Sequence, residues 1–158
     1  MSNEEAPVYL APQLAQLTVA RGRLFKQATV AAQVPLEPSA VQLLWLLRDA
    51  TGPRRIGEIA AAMQVEGPHV TRTVQRLQNK GLVERVVDSS DRRARHIAIT
   101  PAGAKAVDRY RRVVVGWLQD ALAGWSEHDR QELARLTGRL AEDLLTYLQD
   151  LEGLQHTG

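Results

Sequence analysis

Residues 67–103 read GPHVTRTVQRLQNKGLVERVVDSSDRRARHIAITPAG, a run in which the hydrophobic period changes twice. In its first part Val70, Val74 and Leu77 are spaced four and three apart, the repeat of one helix face. Gly67 serves as a tolerable cap, Pro68 takes the first helical position where its missing N–H costs nothing, and Gly81 closes the helix. At 100° per residue, Pro68, His69, Arg72 and Arg76 fall on the side opposite the valines. One side packs while the other is free to make contacts. Beyond Gly81 the residues from Val83 to Val87 are rich in β-branched types, Asp88-Ser89-Ser90-Asp91 has turn chemistry, and Arg95 to Ile99 alternate polar or small with apolar. That is a β-hairpin, and Arg92 and Arg93 make its tip basic. Thr100-Pro101 then reads as an N-cap followed by a first-turn proline, the start of another helix.

Working outward, Gly57–Met63 is a short helix burying Ile59, Ala60 and Met63. Pro38 starts a helix with the stripe Val41, Leu44, Trp45 and Leu47 that stops near Ala50, before Gly52-Pro53. Leu10, Leu14, Leu17, Leu24 and Ala28 predict one long helix from Tyr9 to Ala32, ended by Pro35 and Pro38. Downstream, Val107, Tyr110, Val114, Trp117 and Ala121 continue the helix opened at Thr100. Ser126 caps a last helix, with Asp129 in a capping-box-like role. That helix carries a heptad-like seam of Leu133, Leu136, Leu140, Leu144, Tyr147, Leu148 and Leu151.

The order helix, helix, helix, hairpin specifies a mostly α fold with a small β wing, a winged helix-turn-helix set between long terminal helices. The division that follows is an N-terminal dimerisation helix over 1–35, a DNA-binding lobe over 36–100 and C-terminal dimerisation helices over 101–158. The terminal helices carry more apolar stripe than one small lobe can cover. A homodimer buries the excess, with Leu10, Leu14, Leu17, Leu133, Leu136, Leu140, Leu144 and Leu148 at the interface.

The chain has 158 residues, 44% hydrophobic and 24% charged, the size and composition of one folded domain rather than a disordered tail. It lacks cysteine, which excludes disulfide scaffolds, thiol nucleophiles and Cys-ligated zinc and suits a reducing compartment. The longest apolar runs, such as Leu43 to Leu47, are far short of the ~20 residues of a membrane helix, and the acidic N-terminus does not read as a secretory signal. A cytoplasmic protein with no membrane partner is expected. The net charge is only +2, but nine basic residues face five acids between Arg54 and Arg95, while seven acids face three arginines from Ser126 to Glu152. A basic middle between neutral and acidic ends fits a polyanion met by the middle alone. The four histidines lie far apart with no helical pair, so no metal site is expected. No nucleophile motif, zinc-binding helix or phosphate-cradling glycine loop appears, so no enzyme, catalytic residue or cofactor is expected. Trp45, Trp117 and Trp125 read as core or interface fillers.

In a winged helix the second helix of the motif enters the major groove of double-stranded DNA. There an arginine such as Arg72 can pair bidentately with guanine and a hydroxyl such as that of Thr71 can bind phosphate. The hairpin arginines can enter the adjacent minor groove. A non-specific architectural DNA binder would share the basic patch, and a winged helix used only for protein contacts would lack Arg72 and Arg76 on this side.

The ordered pattern Val70-Thr71-Arg72, Leu77, Lys80-Gly81-Leu82-Val83-Glu84-Arg85, Asp91-Arg92-Arg93-Ala94 and Thr100-Pro101-Ala102-Gly103 closely resembles the MarR family of bacterial transcription regulators. The resemblance extends more weakly from Leu36 through IGEIAAAM. It implies a homodimer built from N- and C-terminal helices, a small-molecule effector pocket between that interface and the DNA-binding lobe, and a repressor that its ligand releases; the two-fold symmetry of such a dimer in turn calls for an inverted-repeat operator. It further implies DNA contacts from Thr71 and Arg72 and from Arg93, with Asp91 orienting the wing arginine. The entry to the recognition helix, Val65-Glu66-Gly67-Pro68-His69, departs from the small hydroxyl residues common there.

Overall fold

The structure, a computed structural model, describes residues 6–87 and 95–155. Its elements run α1 (Ala6–Ala31), α2 (Pro38–Asp49), α3 (Ile56–Met63), α4 (Gly67–Asn79), β1 (Val83–Val87), β2 (Arg95–Ile99), α5 (Pro101–Ala121) and α6 (Glu127–Gln155). The residues divide into two compact units, one ending at Gly116 and the other beginning at Trp117.

In the first unit, α2, α3 and α4 pack around Leu43, Leu44, Ile59, Val70, Val74 and Leu77, all fully buried. The four-and-three spacing of α4 therefore does place its valines and leucine inward. Strands β1 and β2 pair antiparallel, Val83 opposite Ile99 and Arg85 opposite Ile97. Val83 and Ile97 join the same core. The sheet gains a short third member that sequence reasoning missed, because the backbones of Arg54 and Ile97 exchange hydrogen bonds of 2.9 and 2.7 Å. This bridge ties the loop between α2 and α3 to the wing. A second core forms from Ala28, Ala32 and Val34 against Val41, Ala106 and Tyr110, so the end of α1 and the start of α5 pack on α2.

Three helix starts differ from the sequence reading. Helix α1 begins at Ala6 and runs through Pro12, which leaves the Val8 carbonyl without its helical donor. Helix α3 begins one residue early, at Ile56, because the Glu58 carboxylate accepts a hydrogen bond from the Arg55 backbone N–H at 2.9 Å. In α4 the cap is Glu66 rather than Gly67. The Glu66 carbonyl accepts from the backbone N–H groups of His69 and Val70, and Pro68 consequently sits in the second helical position.

The start of α5 matches its expected chemistry. Thr100 Oγ1 accepts from the Gly103 N–H at 3.1 Å and donates to the Gly81 carbonyl at 2.7 Å, joining the helix cap to the turn after α4. Gly81 itself has φ 69°, a conformation that glycine adopts without steric cost. At Gly103 the reason for glycine is closeness, since a Cβ built there would lie 2.0 Å from the Leu82 carbonyl oxygen.

The second unit contains the end of α5 and all of α6. Ser126 caps α6, its Oγ accepting from the Asp129 N–H at 3.0 Å and donating to the Asp129 carboxylate at 2.6 Å. This differs from the usual capping box, because the acid at the third position grips the cap hydroxyl instead of the cap backbone. Leu133, Leu136, Leu144 and Leu148 along α6 are all exposed in the chain, and Leu140 is half-exposed. In the first unit Leu10, Leu14 and Leu17 of α1 are likewise exposed.

Candidate nucleic-acid interface

Helix α4 is sharply two-sided. Val70, Thr73, Val74 and Leu77 are completely buried, whereas Pro68, Thr71, Arg72, Gln75, Arg76 and Asn79 are exposed and His69 is half-buried. Thr73 is the one polar residue on the inner side. Its hydroxyl donates to the His69 carbonyl at 3.1 Å, so burial leaves no unsatisfied group.

The exposed residues are in different states. Arg72 makes no hydrogen bond or ion pair with any described residue, so its guanidinium keeps all five donors for an outside partner. The Thr71 hydroxyl donates to the Gly67 carbonyl at 3.0 Å, which leaves its lone pairs free but directs its proton inward. Arg76 is turned toward the start of α2, where it pairs with Glu37 at 2.5 Å and approaches Thr73 Oγ1 at 3.4 Å. Both members of that pair are about half-exposed or more, at 48% and 64%, so the attraction is weak and solvent-screened. Glu37 is a partner that sequence reasoning did not supply, since the two residues are 39 positions apart. The Glu66 carboxylate is exposed at the entry to α4 and makes no cap hydrogen bond with its side chain.

Cations continue along the same unit. Arg85 of β1 donates to Gln78 of α4 at 3.1 Å, fixing the base of the wing on the helix. Arg55 at the start of α3 donates to His96 Nε2 of β2 at 3.2 Å. Asp91, Arg92 and Arg93, expected at the wing tip, lie outside the described residues.

A cleft of about 740 Å³ opens in the first unit, bounded by Arg21 and Phe25 of α1, Trp45 and Asp49 of α2, Arg54, and Tyr110 of α5 among others. Trp45, expected as a core or interface filler, packs half-buried against both cores and also forms part of this wall. Its ring meets Tyr110 edge-on at 6.2 Å between centroids, and the Arg111 guanidinium lies 4.7 Å from its centroid while pairing with Asp49 at 2.7 Å. Burial raises the Tyr110 hydroxyl above the usual tyrosine range, with the charge of Arg21 acting in the opposite direction. Nearby, Arg48 of α2 grips Asp108 of α5 at 3.1 and 3.2 Å, and that hydrogen bonding holds the Asp108 carboxyl below the usual aspartate range. Two ion pairs thus join the end of α2 to α5.

Among the described residues no cluster of three or more His, Asp or Glu could hold a metal ion, and no helix is long and apolar enough to cross a membrane.

The two-sided helix, the wing and the strand bridge at Arg54 together define a winged helix, and known proteins share it. Residues 34–94 match the model of the MarR family. Among solved structures, a MarR family protein from Bacillus stearothermophilus superposes with a TM-score of 0.76 at 20% identity, covering 92% of this chain and 99% of that one. The transcriptional regulator BldR from Sulfolobus solfataricus gives 0.70 at 23% identity, covering 90% and 99%. A mutant MepR from S. aureus bound to an oligodeoxyribonucleotide gives 0.61 at 20% identity, covering 85% and 97%. At such identities these structures bear on the fold alone. Residues 34–94 are thus similar to the MarR family, and the chain shares the winged-helix fold of these solved structures.

Proposed function

We propose that this chain is a sequence-specific DNA-binding transcription regulator that acts as a homodimer on an imperfect inverted repeat and is released when a small molecule occupies the cleft beside Trp45. The observation that carries the reading is Arg72, an unpaired guanidinium standing opposite three fully buried apolar side chains on α4. A recognition helix needs this arrangement: one side fixed in a core, the other presenting unengaged donors to base edges. Arg76 serves in a second capacity, since its exposed pair with Glu37 can be exchanged for a phosphate. Thr71, His69 and Pro68 lie at the helix entry, where backbone contacts set the register.

Dimerisation is supported by the exposed leucines of α1 and α6, which form stripes too long for solvated helix surfaces. A two-fold assembly sets two recognition helices about 34 Å apart, one turn of DNA, and calls for a symmetric operator with half-sites ~10 base pairs between centres. The cleft supports effector control because its wall residues Trp45 and Asp49 also hold Arg111 of α5. A ligand that favours a wrongly spaced dimer by ~3 kcal/mol lowers DNA affinity more than a hundredfold.

The test is Arg72→Ala, measured on a cognate duplex and on unrelated DNA. Base reading requires a loss of about 1–3 kcal/mol on the cognate site and far less on the other. Equal losses on both would reduce Arg72 to a phosphate contact and remove the base-reading role.

A further inference from the structure

The centre of the exposed side of α4 is not where the arginines alone would place it. Advancing 100° per residue, the direction opposite the buried Val70, Thr73, Val74 and Leu77 is shared by Pro68, Arg72, Gln75 and Asn79, each within about 30° of it. Thr71 and Arg76 lie about 70° to either side. Burial agrees, because Gln75 and Asn79 are exposed while His69 and Gln78 at the margins are half-buried. Arg76, moreover, is drawn aside by Glu37. The side chain that stands beside Arg72 at the middle of the helix is therefore Gln75.

Gln75 is also prearranged. Its Nε2 donates one hydrogen to Asn79 Oδ1 at 3.1 Å, one helical turn on. This ties one amide hydrogen and leaves Oε1 and the second Nε2 hydrogen without a partner among the described residues, one acceptor beside one donor. Adenine presents the complementary pair in the major groove, the N6 amino group as donor and N7 as acceptor. Along the helix Gln75 is displaced from Arg72 by about 4.5 Å, near the ~3.4 Å step between base pairs, so the two side chains reach neighbouring pairs.

We infer that Gln75 is a second base-reading residue, its amide taking the major-groove edge of an adenine next to the base pair read by Arg72, with Asn79 as the residue that positions it. The inference rests on the DNA-regulator reading above and adds the base identity. A helix-stabilising role for the Gln75–Asn79 pair predicts no change in base preference when it is removed.

The experiment is selection from a pool of duplexes with a randomised core, using the full-length protein and its Gln75→Ala, Gln75→Glu and Asn79→Ala variants, with thermal melting of each to verify folding. The expected result is a wild-type motif with adenine adjacent to the guanine position. Gln75→Ala loses the adenine preference by about five- to 150-fold while keeping the guanine. Gln75→Glu, which can only accept, shifts the same position toward cytosine. Asn79→Ala weakens the adenine preference and leaves the guanine untouched. A Gln75→Ala motif identical to the wild-type motif at every position overturns the inference while sparing the regulator reading. A wild-type protein that enriches no motif overturns both.

Discussion

Replacing Gly103 by alanine tests whether α5 is seated on the turn after α4 as closely as described. The added Cβ would lie 2.0 Å from the Leu82 carbonyl oxygen and 2.9 Å from Ile99 Cγ1. Real Cβ atoms do not approach a backbone oxygen closer than about 3 Å, so backbone must move by roughly 1 Å, and overpacking of this kind costs about 1–3 kcal/mol. The movement also pulls on three hydrogen bonds made by Thr100: its N–H to Leu82, its hydroxyl to Gly81, and the Gly103 N–H to its hydroxyl. Weakening two of them adds about 1–2 kcal/mol. Against this, alanine gains at most about 1 kcal/mol of helix propensity. The clash wins by roughly 1–4 kcal/mol, a sizeable share of a stability of order 5–15 kcal/mol. For a chain of this size that is a fall in Tm of about 2–16 °C by thermal circular dichroism. Gly57→Ala is the control, since nothing lies within 4 Å of a Cβ there and the variant should melt no lower than wild type. A Gly103→Ala protein melting within about 1 °C of wild type would refute the close approach.

Two further outcomes are expected. Leu136 is 47% exposed in the chain, so Leu136→Asp should leave the helical circular dichroism intact while sedimentation shows monomers that no longer hold an inverted repeat; a variant dimer of wild-type affinity would remove α6 from the interface. Asp108 titrates below its unfolded value because Arg48 hydrogen-bonds its charged form, so its contribution is present above about pH 4 and is lost as pH falls through the lower folded value. The difference in urea midpoint between wild type and Asp108→Asn should therefore be small, since the pair is solvent-exposed, and should shrink on acidification and with added salt; a difference unchanged by pH would deny the pair any role.

What was legible in the sequence was local. The spacing of Val70, Val74 and Leu77 fixed the inner side of α4, and Thr100-Pro101 fixed the start of α5, because helix periodicity and capping involve residues at most four apart. The strand bridge between Arg54 and Ile97 and the capture of Arg76 by Glu37 join residues about 40 positions apart, and no local pattern announces them. Glu66 displaced Gly67 as cap of α4 because its carbonyl, not a side chain, receives the first helical N–H groups. Counting 100° per residue also places Gln75 at the centre of the exposed side, with Arg76 at its flank, whereas the pairing of Arg76 with Glu37 is visible only in the structure. Trp45 packs against both cores as a filler would, and its place on the cleft wall, set by α1 and α5 residues distant in sequence, has no local signal.

The most direct measurement is the affinity of the wild-type protein, at physiological salt, for a duplex enriched from a random pool against an unrelated duplex of equal length. Base reading by α4 predicts a preference of at least about a thousandfold, with two protomers bound per inverted repeat. Equal affinity for both duplexes, falling with salt alike on each, would contradict it and leave a non-specific architectural DNA binder in its place.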